Sequence, residues 1–187
     1  MYPGDTAFLA NVRLEAIENV MRLHHHPSIA LWCGNNENSE GWKRWGWQNQ
    51  LTELQREEVW ESYKQVFQEI LPMIVDTYSQ TDYWESSPRM GRGNPQHQFE
   101  GDSHYWGVWH DAEPFDVLEK KVPRFMSEFG FQSFPTMQTI KSFTDSSQQN
   151  LNSSVIQSHQ KHPRGNALIL EYMQRAYPVP SEFGKFV

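Results

Sequence analysis

The chain has little of what would place it in several large classes of protein. Its 187 residues contain one cysteine, Cys33, which excludes an internal disulfide framework. Its apolar runs are only a few residues long, too short for a membrane-spanning helix. The formal net charge is −7 and no basic stripe is present, so nucleic acid is not expected as a partner. The remaining composition, 37% hydrophobic and 21% charged, indicates one globular domain with its own core.

Aromatic residues, by contrast, are abundant: they make up 14% of the chain, and eight of them are tryptophan. An indole has a flat apolar face and a polar edge, which suits the C–H face of a sugar ring. Half-buried packing explains any single tryptophan equally well. Both explanations apply to the tryptophans in segments that look like loops: Trp42, Trp45, Trp47, Trp106 and Trp109.

Helical and strand patterns alternate along the chain. Apolar spacing predicts helices over residues 7–23, 52–76, 114–121, 136–143 and 165–176. Asp5 or Thr6 is the expected N-cap of the first helix, and Pro72 is expected to kink the last turn of the second. Strands are predicted at Ile29–Cys33, Asp82–Ser86, Gly101–Trp106 and Arg124–Phe131. Residues 88–100 and 145–165 are predicted to be loops.

This alternation, with strands buried on both faces, indicates parallel βαβ units. The pattern gives about four strands, half the number in a closed eight-stranded barrel, which typically needs about 250 residues. The chain is therefore predicted to be either a small open α/β sheet or a piece of something larger.

Two glutamates occupy equivalent places, each at or just past the C-terminal end of a predicted buried strand. Glu37 follows Ile29–Cys33, and Glu128 lies in Arg124–Phe131. In α/β architectures the loops at that edge converge on one mouth, where sites are built. The 91 positions between the two residues fit three βα units of about 30 residues each. We therefore expect both carboxyl groups to flank one bond.

Paired carboxylates hydrolyse glycosides in two ways. At a separation of about 5–5.5 Å one is the nucleophile and the other the acid and then the base, with retention of configuration. At a wider separation a water molecule fits between them, and the configuration inverts. Asn36, beside Glu37, can donate a hydrogen bond to a sugar hydroxyl. The pattern alone leaves both mechanisms open.

The segments "HHPSIALWCGNNE" (His25–Glu37) and "RFMSEFGFQSFP" (Arg124–Pro135) resemble the catalytic barrel of family 2 glycoside hydrolases. Within that family, the doubled asparagine before Glu37 and the Gly-Phe-Gln-Ser-Phe-Pro tail most resemble β-mannosidases. Further matches occur in the same order: "YPGD" (Tyr2–Asp5), "WESSP" (Trp84–Pro88) and "GDSHYW" (Gly101–Trp106). The resemblance covers nearly the whole chain.

This resemblance implies roles for individual residues. Glu37 matches the acid/base, Asn36 its neighbour that binds the 2-hydroxyl, and Glu128 the nucleophile of a retaining enzyme. His104 and Tyr105 fall on the strand-six motif, where the family places an aromatic residue or a histidine near the nucleophile.

Trp45 falls in a loop that lines the sugar pocket of the bacterial mannosidases. No cofactor and no metal are implied, and coordination by the run His24–His26 is not expected, since consecutive residues face different ways. The implied partner is a β-mannoside oligosaccharide or glycan, with no membrane or nucleic acid involved. The implied location is the bacterial periplasm or exterior, or the lysosome in a eukaryote.

The chain departs from the family in its length. The resemblance implies an α/β fold that is a partial TIM (β/α)8 barrel, holding about strands four to seven with their helices. Residues 1–187 would be part of the catalytic barrel domain of a larger glycosidase, with no complete second domain. The missing strands would come from the parent chain, and exposed edges favour self-association of the piece. We expect this chain alone to hydrolyse no mannoside at a useful rate.

Two other functions remain open. A family 2 β-galactosidase or β-glucuronidase would keep the mechanism and change the sugar. A non-catalytic carbohydrate-binding fragment would explain the tryptophans without paired carboxylates, but such modules are mostly β-sandwiches, and this chain shows at least three good helical stripes.

Overall fold

A computed structural model of the chain describes residues 2–91 and 93–187. The described residues divide into two compact units. The first runs up to His104 and includes Val122–Glu128, and the second comprises Tyr105–Lys121 and Phe129–Val187. No helix within the described residues is both long enough and apolar enough to span a membrane.

The first unit contains four α-helices among the described residues: α1 (Thr6–Leu23), α2 (Asn38–Lys43), α3 (Glu53–Lys64) and α4 (Leu71–Tyr78). Of these, α1, α3 and α4 follow the predicted pattern, whereas α2 lies in a stretch for which no helix was predicted. Asp5 is the N-cap of α1 and accepts a hydrogen bond from the Phe8 amide at 3.0 Å. Thr52 forms a capping box with Gln55 at the start of α3.

The predicted helix over 52–76 is continuous but changes its winding near Pro72. A π-helical segment, Gln65–Ile70, connects α3 to α4, and the Leu71 amide donates to the Val66 carbonyl. Pro72 lies in the first turn of α4. Because proline has no N–H, it cannot donate a hydrogen bond to the preceding turn. The expected perturbation at Pro72 is therefore a π-helical turn.

The four strands found within residues 2–91 and 93–187 are shorter than predicted. They are β1 (Trp32–Cys33), β2 (Tyr83–Trp84), β3 (Ser103–Tyr105) and β4 (Met126–Phe129). β1 and β2 pair in parallel with Trp32 opposite Tyr83, and an isolated parallel bridge joins Asn36 to Ser87 farther on. β3 and β4 form a second two-stranded sheet. The α/β class is confirmed.

The prediction that the first and last strands are buried on both faces is wrong. Cys33 on β1 is exposed, and in β4 exposed residues alternate with half-buried ones. The physical reason is that each sheet has two strands among the described residues, so every strand has one unpaired edge.

The second unit holds the helices α5 (Gly107–His110), α6 (Val117–Lys120), α7 (Met137–Phe143), α8 (Ser154–His159), α9 (Gly165–Ala176) and α10 (Phe183–Phe186). Residues 145–165 are not one long loop as predicted, because α8 lies within them, capped by the Ser153 hydroxyl. A short 3₁₀ helix, Pro95–Gln98, likewise interrupts the predicted loop over 88–100 in the first unit. These two short helices are mostly polar and contain few apolar residues, so the sequence shows no helical periodicity there.

Hydrophobic clusters hold each unit together. In the first unit, Val20 of α1 packs against Ile70, Ile74 and Val75. In the second, Trp109 packs with Leu168 and Ile169 of α9 and with Phe186. The first cluster fixes α1 against α4 behind β1 and β2, the strands that lead to the site described next.

Candidate active site

The two glutamates predicted from the sequence meet at one histidine. Nδ1 of His104 lies 2.8 Å from Oε1 of Glu37 and 3.3 Å from Oε2 of Glu128. One oxygen of each glutamate and a ring nitrogen of His104 all lie within 4.8 Å of one another. The histidine side chain is 4% exposed, whereas the side chains of Glu37 and Glu128 are 24% and 33% exposed. The carboxylates therefore line a surface that solvent or a ligand can reach, with the imidazole behind them.

Backbone geometry sets the position of Glu37. Its φ of 59° is left-handed, which is uncommon for a residue other than glycine, and it is the N-cap of α2. Its amide donates to the Ser87 carbonyl at 2.7 Å, and its carbonyl accepts from the Gly41 amide at 2.8 Å. The chain thus turns sharply from β1 into α2 at this residue. An unusual conformation held by hydrogen bonds on both sides is typical of functional positions.

Asn35 holds this turn in place. Its side-chain nitrogen donates to the Glu85 carbonyl at 2.7 Å and to the Tyr63 hydroxyl at 3.3 Å. Its side-chain oxygen accepts from the Ser86 hydroxyl at 2.8 Å and from the Asn38 amide at 3.1 Å. All four positions of the amide are used inside the protein, so Asn35 is a structural residue.

Two neighbours of Asn35 complete this support. Burial raises the pKa of Tyr63 to about 12, so its phenol stays neutral and accepts the Asn35 hydrogen bond. Gly34 precedes Asn35, and a Cβ there would overlap the Tyr83 hydroxyl and the Glu85 carbonyl. β1 and β2 can approach each other at this point only because residue 34 has no side chain.

Behind His104 lies a fully buried acid, Asp102. Its Oδ2 accepts hydrogen bonds from the hydroxyls of Ser87 and, at 2.6 Å, Ser127, and its Oδ1 accepts from the Arg89 amide at 2.9 Å. Nε2 of His104 lies 2.9 Å from the Ser87 hydroxyl and 3.7 Å from Oδ2 of Asp102. The imidazole is thus held between an inner carboxylate and two outer ones.

The thiol of Cys33 borders the same group. Desolvation, and secondarily the negative charge of Asp102, raise its pKa to about 11, although Cys33 as a whole residue is exposed. The thiol therefore adds no charge to the site at neutral pH.

The other predicted site residues differ in their exposure to solvent and in their contacts. Asn36 is exposed beside Glu37. Trp45 is 53% exposed, and its ring contacts Trp47 at a centroid distance of 5.9 Å; its described contacts do not include the glutamates. Tyr105 is 2% exposed, and its hydroxyl donates to Glu113 within the second unit. Because successive residues of a strand face opposite ways, Tyr105 and His104 of β3 cannot both face the carboxylates.

The tryptophans divide between the two explanations given for them. Trp42 is 7% exposed and stacks on Trp60 at 5.6 Å, and Trp109 is 4% exposed in the core of the second unit, so both are packing residues. Trp45 and Trp47 are about half exposed and remain available to a ligand.

Three groups of the site were not identified from the sequence: Asp102, Ser87 and Ser127. The sequence does contain a signal for Asp102, because Asp102 and His104 are two positions apart on a predicted strand and so lie on the same face. Ser87 lies in the "WESSP" motif, but the pattern does not tell which serine faces the histidine. Glu37, His104 and Glu128 could also hold a cation, since each offers one ligand atom. The prediction of no metal stays a prediction.

Comparisons with known proteins were made by family model, by sequence and by structure. No protein-family model matches the chain. "Beta-mannosidase B" of Thermothelomyces thermophilus is 35% identical over 97% of this chain, which corresponds to 23% of that protein. "Beta-mannosidase B" of Aspergillus terreus is 32% identical over 92% of the chain and 21% of its own length.

A solved structure agrees with these relatives. The crystal structure of a β-D-mannosidase from Dictyoglomus thermophilum matches the whole chain with a TM-score of 0.78 and 33% identity, over 22% of its own length. The chain therefore spans about a fifth of the length of the proteins that it matches. Over that span, the chain is a β-mannosidase-like sequence, and its relatives are glycoside hydrolases.

Proposed function

We propose that Glu37 and Glu128 are the acid/base and the nucleophile of a retaining β-mannosidase of glycoside hydrolase family 2. The observation that carries this proposal is the meeting of the two acids at His104, with one oxygen of each inside a 4.8 Å group. Oxygens this close are compatible with the roughly 5–5.5 Å carboxyl separation used by retaining enzymes. The named relatives support mannose as the sugar.

The fold of the complete enzyme is part of the same proposal. We place β1 to β4 as strands four to seven of a (β/α)8 barrel, with residues 1–187 belonging to its catalytic domain. The parallel pairing of β1 with β2, separated by helices, supports this, as does the position of Glu37 just after β1 and of Glu128 near the end of β4.

The first chemical step breaks the bond to the leaving group. Glu37, in its protonated form, donates its proton to the glycosidic oxygen while the Glu128 carboxylate attacks the anomeric carbon. The bond between that carbon and the leaving oxygen breaks, and a covalent glycosyl–Glu128 ester forms through a transition state with oxocarbenium character. Glu37 is left ionised.

The second step hydrolyses the ester. The Glu37 carboxylate takes a proton from a water molecule, whose oxygen attacks the anomeric carbon from the face that the leaving group vacated. The carbon–Glu128 bond breaks, Glu37 is protonated again, and the sugar leaves with its original configuration. Both acids need partial exposure for these steps, and both have it.

Neighbouring residues are proposed to bind the sugar. Asn36 is exposed beside Glu37 and would donate to the 2-hydroxyl, whose hydrogen bonds strengthen in the transition state. Trp45 is an exposed platform that would stack on the sugar face. Tyr105 is assigned a weaker role, since it is buried and bonded to Glu113.

The activity is proposed for a longer protein. A sugar in a glycosidase is enclosed on most sides, whereas the two carboxylates here are a quarter to a third exposed. We expect the 187-residue chain alone to be inactive on aryl β-mannosides and prone to associate through exposed apolar residues such as Phe125 and Phe129.

The test is made on the longer protein encoded by the reading frame that contains this segment. Purified wild type, Glu37→Gln and Glu128→Gln are assayed on aryl β-mannoside, β-galactoside and β-glucuronide, with Glu53→Gln, at an exposed acid in the first turn of α3, as the matched control. We expect the mannoside to be preferred and Glu128→Gln to lower kcat by at least about 10³-fold. Unchanged activity in Glu128→Gln would overturn the assignment, and preference for another sugar would overturn the substrate.

A further inference from the structure

The hydroxyl of Ser87 lies between Asp102 and His104 in a group that the proposed reaction does not use directly. Oγ of Ser87 contacts Oδ2 of Asp102 on one side and is 2.9 Å from Nε2 of His104 on the other. Asp102 is fully buried, and His104 is 5% exposed. Bulk water has little access to the Asp102 carboxylate and the His104 ring, so the Ser87 hydroxyl is the group that joins them by hydrogen bonds.

Counting protons determines which atom donates to which. An ionised carboxylate only accepts, and Asp102 accepts from Ser87, Ser127 and the Arg89 amide. A serine hydroxyl has one proton, and that of Ser87 is used toward Asp102. The Ser87 oxygen then has only lone pairs to offer Nε2 of His104. Nε2 must therefore carry a proton and donate it to Ser87.

We propose that Ser87 and Asp102 are positioning residues that keep Nε2 of His104 protonated, so that Nδ1 is the nitrogen that gains or loses a proton. Nδ1 faces Oε1 of Glu37 at 2.8 Å and Oε2 of Glu128 at 3.3 Å. This arrangement is a property of the folded chain. Only its catalytic meaning rests on the proposed function of the two glutamates.

The tautomer matters because Glu37 must be protonated before the first chemical step. A neutral imidazole with its proton on Nε2 accepts at Nδ1 and so stabilises the protonated carboxyl of Glu37. The opposite tautomer would donate from Nδ1 and stabilise the ionised form, which cannot act as an acid. When Nδ1 itself holds the proton, Glu37 is ionised and accepts from it. One proton is shared by the pair in either case, with none gained or lost.

Titratable and charged groups face the imidazole from several elements. Glu37 precedes α2, Glu128 is on β4, and Asp102 precedes β3. Cys33 of β1 lies near Ser87 and Asp102, and its raised pKa keeps it neutral. Only the two glutamates contact Nδ1 among the described residues.

The tautomer can be measured on the 187-residue chain without any activity. Long-range proton–nitrogen NMR correlations of the ¹⁵N-labelled protein distinguish a protonated from a bare ring nitrogen, and His104→Gln identifies the signals. We expect Nε2 to stay protonated from acid to alkaline pH in the wild type. Ser87→Ala should mix the two tautomers, whereas Ser87→Thr, which keeps a hydroxyl, should preserve Nε2–H.

Ser86→Ala is the matched control. Ser86 is adjacent, buried, and loses the same hydroxyl, but it bonds to Asn35. The control should leave the His104 tautomer as in the wild type. A bare Nε2 in the wild type would overturn the proposal whether or not any variant folds, and an unchanged tautomer in folded Ser87→Ala would overturn the role of Ser87.

Kinetic measurements on the proposed longer enzyme test separately whether Ser87 affects catalysis. Ser87→Ala should lower kcat on the order of tenfold, by analogy with the loss of the group that orients a metal-binding histidine. The loss should appear with poor leaving groups, which need the acid, and largely vanish with 2,4-dinitrophenolate, which does not. Equal loss with both leaving groups would overturn the catalytic role. If Glu37 and Glu128 prove not to be catalytic, the predicted dependence on the leaving group will not be observed, whereas the tautomer of His104 measured by NMR is unaffected.

Discussion

Replacing Asn35 by alanine removes four hydrogen bonds at once, while the same change at the adjacent Asn36 removes none that the described structure contains. The comparison separates a structural amide from one proposed to bind substrate. Both changes alter the composition identically and lie one position apart, just before Glu37.

The size of the effect follows from what is left unpaired. The Ser86 hydroxyl belongs to a residue 2% exposed, and the Tyr63 hydroxyl to one 0% exposed. A buried polar group without a partner costs about 1–3 kcal/mol, and each lost bond to a more exposed group about 0.5–1.5 kcal/mol. Because such terms overlap, we expect Asn35→Ala to lower the free energy of unfolding by about 2–4 kcal/mol. Asn36→Ala should change it by less than about 0.5 kcal/mol.

Urea unfolding followed by tryptophan fluorescence measures this difference. Six of the eight tryptophans, from Trp32 to Trp84, lie in the unit that contains Asn35, so the signal reports that unit. With a slope of about 2 kcal/mol per molar urea, the midpoint should fall by about 1–2 M for Asn35→Ala. Equal midpoints for the two variants would refute the assignment of Asn35 as the residue that holds the turn. In the longer enzyme, Asn36→Ala should instead reduce kcat with little change in stability.

Two further predictions concern the surroundings of the site. Gly91→Ala should destabilise the protein by more than about 2 kcal/mol, because the new Cβ would overlap the carboxylate of the buried Glu40. In Gly93→Ala the new Cβ would meet only the flexible end of Arg44, so this control should be nearly neutral. Thermal unfolding distinguishes the two variants, and equal melting temperatures would show that the loop at Gly91 is not tightly packed. Alkylation of Cys33 by iodoacetamide at pH 8 should be about 100-fold slower than alkylation of an ordinary thiol, because a pKa raised from 9.0 to about 11 leaves less thiolate. The alkylation rate should increase with pH up to about pH 11. A rate that levels off near pH 9 would show that the thiol is not desolvated.

The sequence predicts the helices better than the sheets. α1, α3 with its continuation and α9 have long apolar stripes and recognisable caps at Asp5 and Thr52, and these signals are local. A strand's extent depends on what pairs with it. β1 is two residues long because β2 is its one pairing partner within the described part of the chain, and no local signal in Ile29–Cys33 reveals that.

The site was predictable to the extent that strand ends and motifs revealed it. Glu37, Glu128 and His104 were each named from the sequence, and the structure brings all three together. The inner partners of His104 were not named, because hydroxyl-to-carboxylate contacts join segments 15 residues or more apart and have no periodic signature. Strand alternation separates Tyr105 from His104, because adjacent residues of β3 face opposite ways.

Trapping the nucleophile tests the proposed roles of Glu37 and Glu128. The longer enzyme is incubated with a 2-deoxy-2-fluoro-β-mannosyl fluoride, which forms the covalent ester but hydrolyses it slowly, and the labelled peptide is sequenced by mass spectrometry. We expect one adduct per active site, on Glu128, absent from Glu128→Gln and formed in Glu37→Gln because fluoride needs no proton donor. An adduct on any other residue, or turnover that inverts the anomeric configuration, would contradict these roles.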